Sequence, residues 1–292
     1  MHADPVEEGV AERLERGEVV YYPSCPFPLP AGDDAAFLLR QQLANRAHKN
    51  VSYNPASDKV GGCRRESKEQ AERVRNVLAS FSAAVTDWTG KVLPGYRAGW
   101  RLDRVSFRPL EEATRVLRLR ARNDLLHVDA FPSRPSNGWR LLRVFANVNP
   151  TEPRVWVTSE PFARLLERYG KEAGLPRADG PLGWAARLLE SVPRLFRPGR
   201  EPRSAYDRFM LRFHHFLKAN EDFQEQTPKR VWSFPPGSMW MVMTDTASHA
   251  VLRGRFALEH SYFIDPRTLA LPDESPPALL ARACGRPVLR AA

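Results

Sequence analysis

A succession of short β-type runs constrains the fold of this 292-residue chain more than any other feature. Apolar and polar residues alternate in these runs, which begin after residue 98 and are separated by Pro, Asn, Ser and Gly, residues that favour turns. The runs occur in two groups with a helical block between them. The predicted strands are 99–109, 117–128, 139–149, 155–158, 230–234, 239–243 and 257–264. Short strands with turn signals between them predict an antiparallel barrel or sandwich.

Helical periodicity dominates the N-terminal part and the block between the two groups of strands. Between Ser67 and Thr89, apolar residues recur at intervals of three and four, which is typical of a helix that packs one face against a sheet. The stretch 49–63 is rich in Asn, Ser, Pro and Gly, so we expect a loop there. The other predicted helices are 7–16, 35–46, 162–169 and 205–220.

This order of elements predicts an α+β fold. Its core would be a double-stranded β-helix, the jelly roll of cupin-like proteins, with N-terminal buttressing helices and a helical insertion between the β-strands. Single β-rich domains reach this length, so we expect one domain. Its predicted parts are N-terminal support at 1–97, β-helix core at 98–160 and 228–268, helical insertion at 161–227 and a C-terminal tail at 269–292.

Three residues form a metal-site pattern on this framework. His127 and Asp129 end the predicted strand 117–128, and because side chains alternate across a strand, residues two apart project from the same face. His249 follows the apolar run 239–243 and can reach the same ion from a neighbouring strand. Two histidines and one carboxylate leave coordination positions open, as in non-haem Fe(II) oxygenases. We therefore predict that His127, Asp129 and His249 bind Fe(II) and form the catalytic centre.

Composition limits the other classes of function. The three cysteines, Cys25, Cys63 and Cys284, are far apart and form no CxxC pair, so neither a disulfide framework nor a zinc site is indicated. No apolar run approaches the roughly 20 residues of a membrane-spanning helix, and the first residues lack the pattern of a secretory signal. We therefore expect a cytoplasmic protein. The formal charge of +10 favours an anionic partner, although an arginine-rich composition also raises the charge.

Several segments resemble one family, the bacterial 3-deoxy-D-manno-oct-2-ulosonic acid (Kdo) 3-hydroxylases. The similar strings are LLHVDAFPSRP (125–135), LLRVFANVNP (141–150), FPPGSMWMVMTDTASHAVLRG (234–254) and ALEHSYFI (257–264), together with GEVVYYP (17–23) and KNVSYNP (49–55). The likeness covers most of the chain. Arg255 and His260 depart from the pattern, because they stand where we would expect glutamine.

The resemblance implies an Fe(II)- and 2-oxoglutarate-dependent dioxygenase that uses O2 and hydroxylates the Kdo sugar of Kdo-lipid A at C3. The product would be D-glycero-D-talo-oct-2-ulosonic acid in the inner core of lipopolysaccharide. Such an enzyme would meet this anionic glycolipid as a peripheral protein at the cytoplasmic face of the inner membrane. No nucleic-acid partner is expected, and homo-oligomerisation is left open.

The co-substrate requires a cation for its far carboxylate, and a guanidinium offers a matching bidentate fork. Arg143 is our first choice, because it interrupts an apolar strand and shares a face with Asn147. Arg108, at the end of the strand before His127, could bind either the co-substrate or an anionic sugar carboxylate. Arg253 and Arg255, a few residues beyond His249, are further alternatives. We therefore predict co-substrate contacts from Arg143, Arg108, Asn147 and Arg255.

The remaining histidines favour ordinary roles. His214 and His215 are adjacent on a predicted helix, where successive side chains point about 100° apart, so a shared metal site is less probable than a structural role. His260 could contact substrate or pack in the core.

The segment Leu182 to Arg203 combines an apolar face with several arginines. That combination is typical of helices that lie in a membrane interface, and it is equally typical of a helix packed on a barrel. We retain the first interpretation as a hypothesis for how the enzyme reaches its lipid.

Three other functions fit part of the sequence. An oxygenase of the same fold with another target, a small metabolite or a protein side chain, would keep the same three metal ligands. A nucleic-acid-binding protein would explain the charge, but no motif of that class localises it. A non-catalytic cupin-like module would not need all three ligands.

Overall fold

The computed structural model of the protein describes residues 9–45, 48–130, 134–175 and 203–289. Within those ranges the chain forms ten strands in two antiparallel sheets. The strands are β1 (Val20–Tyr22), β2 (Val51–Asn54), β3 (Lys59–Gly61), β4 (Trp100–Arg108), β5 (Arg140–Asn147), β6 (Arg154–Pro161), β7 (Arg230–Phe234), β8 (Met239–Met243), β9 (Ala247–Arg253) and β10 (Ala257–Ile264). The large sheet has the order β1-β8-β5-β10-β4-β2-β3, and the small one β7-β6-β9.

The two sheets face each other across an interior that is apolar at one end. Phe145 and Trp240 of the large sheet stack with ring centroids 5.2 Å apart. Both rings meet Trp156 of the small sheet edge to face, at 4.8 and 5.5 Å. These contacts join the inner faces of two antiparallel sheets, which agrees with the predicted jelly roll.

Helices cover the outer faces of both sheets. They are α1 (Val10–Glu15), α2 (Gly32–Leu39), α3 (Lys68–Val92), α4 (Pro94–Arg97), α5 (Phe162–Tyr169), α6 (Ala205–Ala219), α7 (Glu221–Gln226) and α8 (Pro276–Cys284). The buttress predicted at 67–89 is α3, which begins where the Ser67 side chain accepts a hydrogen bond from the Gln70 amide. The buried residues of α3, among them Leu78 and Phe81, belong to the same core as Leu258 of β10.

The small sheet has its own helical cover. Val157 and Ala250 share a core with Phe162 of α5 and Phe213 of α6, so the predicted insertion supplies this layer. Apart from Arg203, the segment 182–203 lies outside the described residues. Among the described residues no helix combines the length and the apolar composition needed to cross a membrane.

Three local predictions were wrong. The stretch 117–128 is not a strand: it holds a 3₁₀ turn at Leu119–Ala121 and otherwise irregular chain. The stretch 49–63 is not simply loop, because it contains the hairpin β2–β3, whose tight turn has Asp58 at a φ of 51°. The helix predicted at 35–46 ends at Leu39. In the last two cases local composition was overruled by pairing with a distant segment: Leu43 bridges to Cys63, and β2 pairs with β4.

Candidate active site

His127 and His249 are brought together by the backbone rather than by a long strand pair. The amide of His127 donates to the carbonyl of His249 at 3.1 Å, and the reverse bond measures 2.9 Å. The two imidazole rings therefore lie 4.7 Å apart between centroids. Two residues later, the amide of Asp129 donates to the carbonyl of Thr244 at 2.7 Å and fixes the direction of the carboxylate. The structure thus gathers the three predicted ligands around one end of the small sheet.

The Nε2 atoms of both histidines remain available for an ion, because each Nδ1 lies close to a backbone carbonyl. His127 Nδ1 is 2.7 Å from the Leu125 oxygen, and His249 Nδ1 is 2.9 Å from the Ala247 oxygen. A carbonyl only accepts, so each Nδ1 carries the hydrogen and Nε2 carries the lone pair. Burial lowers the pKa of both rings, that of His249 to about 3, and so maintains the neutral form that metal binding requires.

Asp129 supplies the oxygen ligand in ionised form. Burial alone would raise the pKa of its carboxyl group, but Arg143 and the neighbouring histidines outweigh that effect and hold the pKa well below the ordinary value. Its Oδ2 lies 3.1 Å from Arg143 Nη2, yet it is buried and accepts no hydrogen bond with suitable geometry from the described residues. Two neutral imidazoles and an ionised carboxylate with spare coordinating capacity fit Fe(II).

A fourth potential ligand, His214, comes from α6. Its Nδ1 lies 2.7 Å from the Val128 carbonyl, and its ring centroid is 4.8 Å from that of His127. The ligand atoms of His127, Asp129 and His214 lie within 4.8 Å of one another, so the tightest set contains His214 in place of His249. The expectation of a purely structural role for His214 missed this proximity. We keep His249 as the third ligand, because its backbone is bonded directly to that of His127.

One side of the centre is closed by an aromatic wall. Trp156 of β6 stacks on His249 with centroids 5.3 Å apart and planes inclined by 19°. Trp156 is 1% exposed, so water is excluded from this side of the ring. The stack fixes the orientation of the imidazole that a ligand must keep.

Arg143 lies on the other side of the carboxylate, inside the barrel. Its Nη2 contacts Asp129, and its Nη1 lies 3.3 Å from Glu259 Oε1. Arg108 donates from Nε to Glu259 Oε2 at 2.9 Å, so one carboxylate is shared by two guanidinium groups. Burial raises the pKa of Glu259, but Arg108 and Arg143 more than reverse that effect and lower it to about 2. Arg143 thus touches a predicted metal ligand directly, and Arg108 is joined to Arg143 through the shared Glu259.

Sequence reasoning missed a third guanidinium, Arg154, at the start of β6. It is 1% exposed, and its Nη1 donates to the Gly254 carbonyl at 2.8 Å. Its Nε and Nη2 find no hydrogen-bond acceptor among the described residues, and Glu112 lies 3.7 Å from Nη2. Burial and the charge of Arg108 lower its pKa to about 10. An arginine at the head of the apolar run 155–158 was the signal that could have revealed it.

Two of the residues predicted to contact the co-substrate are engaged elsewhere. The side chain of Asn147 donates to the carbonyls of Phe234 and Glu152 at 2.9 and 3.0 Å, and its oxygen accepts from the amide of Asn149. Its amide therefore holds the turn after β5, and the predicted co-substrate contact is wrong. Arg255 is exposed and stacks on Phe256, with its guanidinium carbon 3.8 Å from the ring centroid. It lines a surface groove, and no described contact links it to the metal ligands, so its co-substrate role stays a prediction.

His260 lies on the outer face of the large sheet. Its Nε2 is 2.8 Å from the Ser82 hydroxyl of α3, and the residue is wholly buried between sheet and helix. Of its two predicted roles, packing in the core is the correct one.

The chain is similar to known proteins in sequence and in fold. The family model described as 3-deoxy-D-manno-oct-2-ulosonic acid (Kdo) hydroxylase matches residues 2–287. A comparison with curated proteins found no match.

Solved structures of one Kdo hydroxylase, KdoO, resemble the chain closely. KdoO is a non-haem Fe(II) α-ketoglutarate-dependent dioxygenase, and α-ketoglutarate is another name for 2-oxoglutarate. The complex of KdoO with α-ketoglutarate and Fe(III) shares 32% identity and superposes with a TM-score of 0.86, covering 99% of this chain and 93% of that one. The complex with cobalt(II) gives 32% identity, a TM-score of 0.88 and coverage of 100% and 94%. These likenesses extend over the whole fold described above.

Proposed function

The chain belongs to the Kdo hydroxylase family, and from this premise we propose that it is an Fe(II)- and 2-oxoglutarate-dependent dioxygenase that hydroxylates Kdo at C3. The observation that carries the proposal is the pairing of His127 with His249 beside the ionised Asp129. In the overall reaction, O2 and 2-oxoglutarate are consumed, succinate and CO2 are released, and a C–H bond of the sugar becomes C–OH. With this stoichiometry the reaction needs no other electron donor.

The three ligands would hold the ion while leaving a face free for co-substrate and O2. When bound, the ion supplies the redox chemistry that activates O2. The protein's own contribution is orientation. The Leu125 and Ala247 carbonyls keep both histidines in the Nε2 ligand form, and Arg143 keeps Asp129 ionised. Trp156 excludes water from the His249 side.

The arginines inside the barrel provide a place for the far carboxylate of 2-oxoglutarate. Four guanidinium groups of this cluster contact three carboxylates, so one positive charge is left for a ligand. The arginines are Arg108, Arg115, Arg143 and Arg154, and the carboxylates are Glu112, Glu259 and Asp129. Arg143 stays our first choice for the bidentate contact, because it is the guanidinium that touches a metal ligand. Arg108 and Arg154 would add charge around the same carboxylate. A buried cluster with surplus guanidinium charge is stabilised when a carboxylate enters.

The acceptor that we propose is Kdo-lipid A, and the product is D-glycero-D-talo-oct-2-ulosonic acid. The enzyme would work at the cytoplasmic face of the inner membrane, as a peripheral protein. The segment 182–203 supports this only through its sequence, in which arginines alternate with Trp, Leu and Phe. Each basic residue near an anionic surface contributes on the order of 1 kcal/mol, and salt screens that attraction.

Product analysis tests the activity directly. Purified protein with Fe(II), 2-oxoglutarate and Kdo-lipid A should yield Kdo that is heavier by one oxygen atom at C3, together with an equal amount of succinate. Asp129→Ala serves as the inactive control. Consumption of 2-oxoglutarate that another metabolite or a protein stimulates, without oxygen transfer to Kdo, would assign the fold to a different target.

Vesicle binding tests the location. Replacing Arg194, Arg197 and Arg200 with glutamate should weaken binding to anionic vesicles and slow hydroxylation of the lipid substrate, while 2-oxoglutarate turnover without sugar stays unchanged. Raising the salt concentration should weaken the wild-type interaction in the same way. Equal vesicle binding by the wild type and the triple variant would rule out this segment as the anchor.

A further inference from the structure

Helix α6 presents two polar side chains to the segment that carries the metal ligands. His214 and Lys218 are four residues apart and therefore lie on one face of the helix. His214 reaches the backbone between His127 and Asp129, through the Val128 carbonyl. Lys218, one turn further along, donates from Nζ to the carbonyl of Arg120 at 3.3 Å. Lys218 is therefore one helical turn from a histidine whose ring contacts that of His127, and it is only 4% exposed.

A second ammonium group contacts the same backbone turn and belongs to the N-terminal part of the chain. Lys49, in the loop before β2, donates from Nζ to the carbonyl of Ala121 at 3.2 Å. Arg120 and Ala121 are consecutive residues of the 3₁₀ turn. Two positive charges thus rest on adjacent carbonyls, next to the segment that leads into His127.

Neither ammonium group is in direct contact with a carboxylate of the described residues. Within the part of the chain that the structure describes, no Asp or Glu oxygen lies within 4.0 Å of either Nζ, and each donates only to a neutral carbonyl. Burial lowers the pKa of Lys218 to about 8; Asp129 opposes this shift and the charge of Lys49 adds to it. The pKa of Lys49 is likewise lowered, first by burial and then by Arg115 and Arg108. Lys218 is a buried charge with no carboxylate in contact, which is costly, and a bound anion removes that cost. Lys49 is exposed and adds a second positive charge at the same turn.

We propose that Lys218 and Lys49 form a subsite for the carboxylate of the sugar acid and so place the adjacent methylene group at the candidate metal centre. This inference rests on the proposed function and deepens it. In a 3-deoxy-oct-2-ulosonic acid, the C1 carboxylate is two bonds from C3, so the cation that holds it must lie near the ion. Lys218 from α6 and Lys49 from the loop before β2 both interact electrostatically with Asp129, which places them near the centre, while the arginines serve the co-substrate inside the barrel.

The two cation types suit the two acids. The co-substrate's far carboxylate lies in a dry interior, where the planar guanidinium fork gives a fixed bidentate geometry. The sugar carboxylate arrives at a junction between a loop and a helix, where flexible ammonium groups adapt to the approach of a large acceptor. The carboxylate of the sugar acid and the far carboxylate of 2-oxoglutarate therefore bind at different places. The sugar acid does not occupy the co-substrate position.

The test replaces Lys218 with methionine, which keeps the length and removes the charge. The KM for the Kdo acceptor should rise about 10- to 100-fold, the loss expected for one hydrogen bond to a charged group. The KM for 2-oxoglutarate and its turnover without sugar should stay at the wild-type values. Lys49→Met should act in the same direction, and Lys218→Arg should restore part of the affinity. Lys229→Met is the matched control, because Lys229 also bonds one backbone carbonyl, that of Glu225 at 3.0 Å, but on the surface.

A chemically altered ligand makes the test specific for the carboxylate. Binding of free Kdo and of its C1 methyl ester is measured by calorimetry under anaerobic conditions with Fe(II) and 2-oxoglutarate present. The wild type should prefer the acid about 10- to 100-fold, and Lys218→Met should lose that preference. Because this readout needs no turnover, it separates the subsite from the reaction: hydroxylation at another carbon would overturn the proposed function and leave the subsite intact.

Three results would overturn the inference. Equal affinity of the wild type for acid and ester would show that the carboxylate is not recognised. A raised KM for 2-oxoglutarate in Lys218→Met would assign the lysine to the co-substrate. A lower melting temperature together with lost sugar-free turnover, not repaired by Lys218→Arg, would make the lysine a clamp on the 3₁₀ turn.

Discussion

Glu259 and His260 are neighbours on β10, yet they meet opposite surroundings because they lie on opposite faces of the large sheet. Glu259 points into the barrel, where it is shared by Arg108 and Arg143. His260 points outward and touches Ser82 of the buttressing helix α3. Both are wholly or almost wholly buried, at 3% and 0% exposure, so burial alone does not distinguish a functional face from a structural one.

The two faces differ in how many of their buried polar atoms have hydrogen-bond partners in the protein. On the outer face, His260 bonds to Ser82 and Tyr262 to Thr86, both of α3, among well-packed apolar residues. On the inner face, guanidinium groups outnumber carboxylates, and buried atoms of Asp129 and Arg154 lack hydrogen bonds within the described residues. Unsatisfied buried polar groups in a native fold mark the place where a ligand completes the structure. Four predictions test whether the inner face is functional and the outer face structural.

Asp129→Ala should have the largest effect, because it removes the only carboxylate among the three predicted ligands. Turnover of 2-oxoglutarate and hydroxylation should both be abolished, and equilibrium dialysis should show loss of Fe(II) binding. The circular dichroism spectrum should match that of the wild type. Full activity in this variant would refute the metal site.

Leu258→Ala should do the reverse on the outer face. Leu258 is 0% exposed, so the cavity should cost about 2–5 kcal/mol in the free energy of unfolding. The kcat measured well below the melting temperature should stay near that of the wild type, because the side chain points away from the centre. Urea unfolding gives the first quantity and steady-state kinetics the second; a large fall in kcat would show that the two faces are coupled.

His260 should make the protein sensitive to acid. Burial lowers its pKa to about 4 from the ordinary 6.5, so the neutral form is required in the folded state. The stabilisation is complete above pH 6.5 and is lost as the pH falls from 6.5 to 4. The loss amounts to about 3 kcal/mol, from about 1.4 kcal/mol per pH unit. Unfolding of the apoprotein should show this slope, and His260→Gln should reduce it; an unchanged slope would assign it to other groups.

Arg143→Leu should raise the KM for 2-oxoglutarate about 10- to 100-fold, the expected cost of losing a charge-assisted contact. Arg255→Leu is the matched control on the surface, and it should leave the KM unchanged. If the effects are reversed, the co-substrate arginine follows the distal histidine, contrary to our assignment. A raised KM in Arg154→Leu but not in Arg143→Leu would move the contact to the head of β6.

Sequence patterns predicted the elements whose side chains follow a simple period. Helix α3 and strands β4, β5, β7, β8 and β10 were placed to within a few residues, because one face of each is apolar. The His127–Asp129 pair was recognised although the chain there is irregular, because the chemistry depends on residue types and spacing. Asn147 was assigned to the correct strand, but the turn after β5 engages its side chain, and no pattern in the strand reveals that.

The candidate functional residues that sequence analysis missed lie on elements that were interpreted as parts of the packed core. His214 and Lys218 occupy a helix rich in phenylalanine, which suggested a core helix, and their four-residue spacing was the only sign of a shared polar face. Arg154 stands at a strand boundary, where an arginine is ordinarily exposed. Hairpin β2–β3 was hidden because its strands are short and flank a turn of Pro, Ala, Ser and Asp at 55–58, and because β2 joins the large sheet only through the distant β4.

The reciprocal backbone bonds between His127 and His249 carry a consequence for the dynamics of the chain. Between the end of β4 and His127, the only regular element in the described residues is one 3₁₀ turn, so this long connection is fastened to β9 at few points. An ion bound by both imidazoles would add a second link between this connection and β9. The link closes the connection into a loop, and this lowers the entropy of the states in which the backbone bonds are broken. Iron loading should therefore slow amide hydrogen exchange at His127, Asp129 and Val251, whose amides bond across this junction, while exchange in α3 stays unchanged.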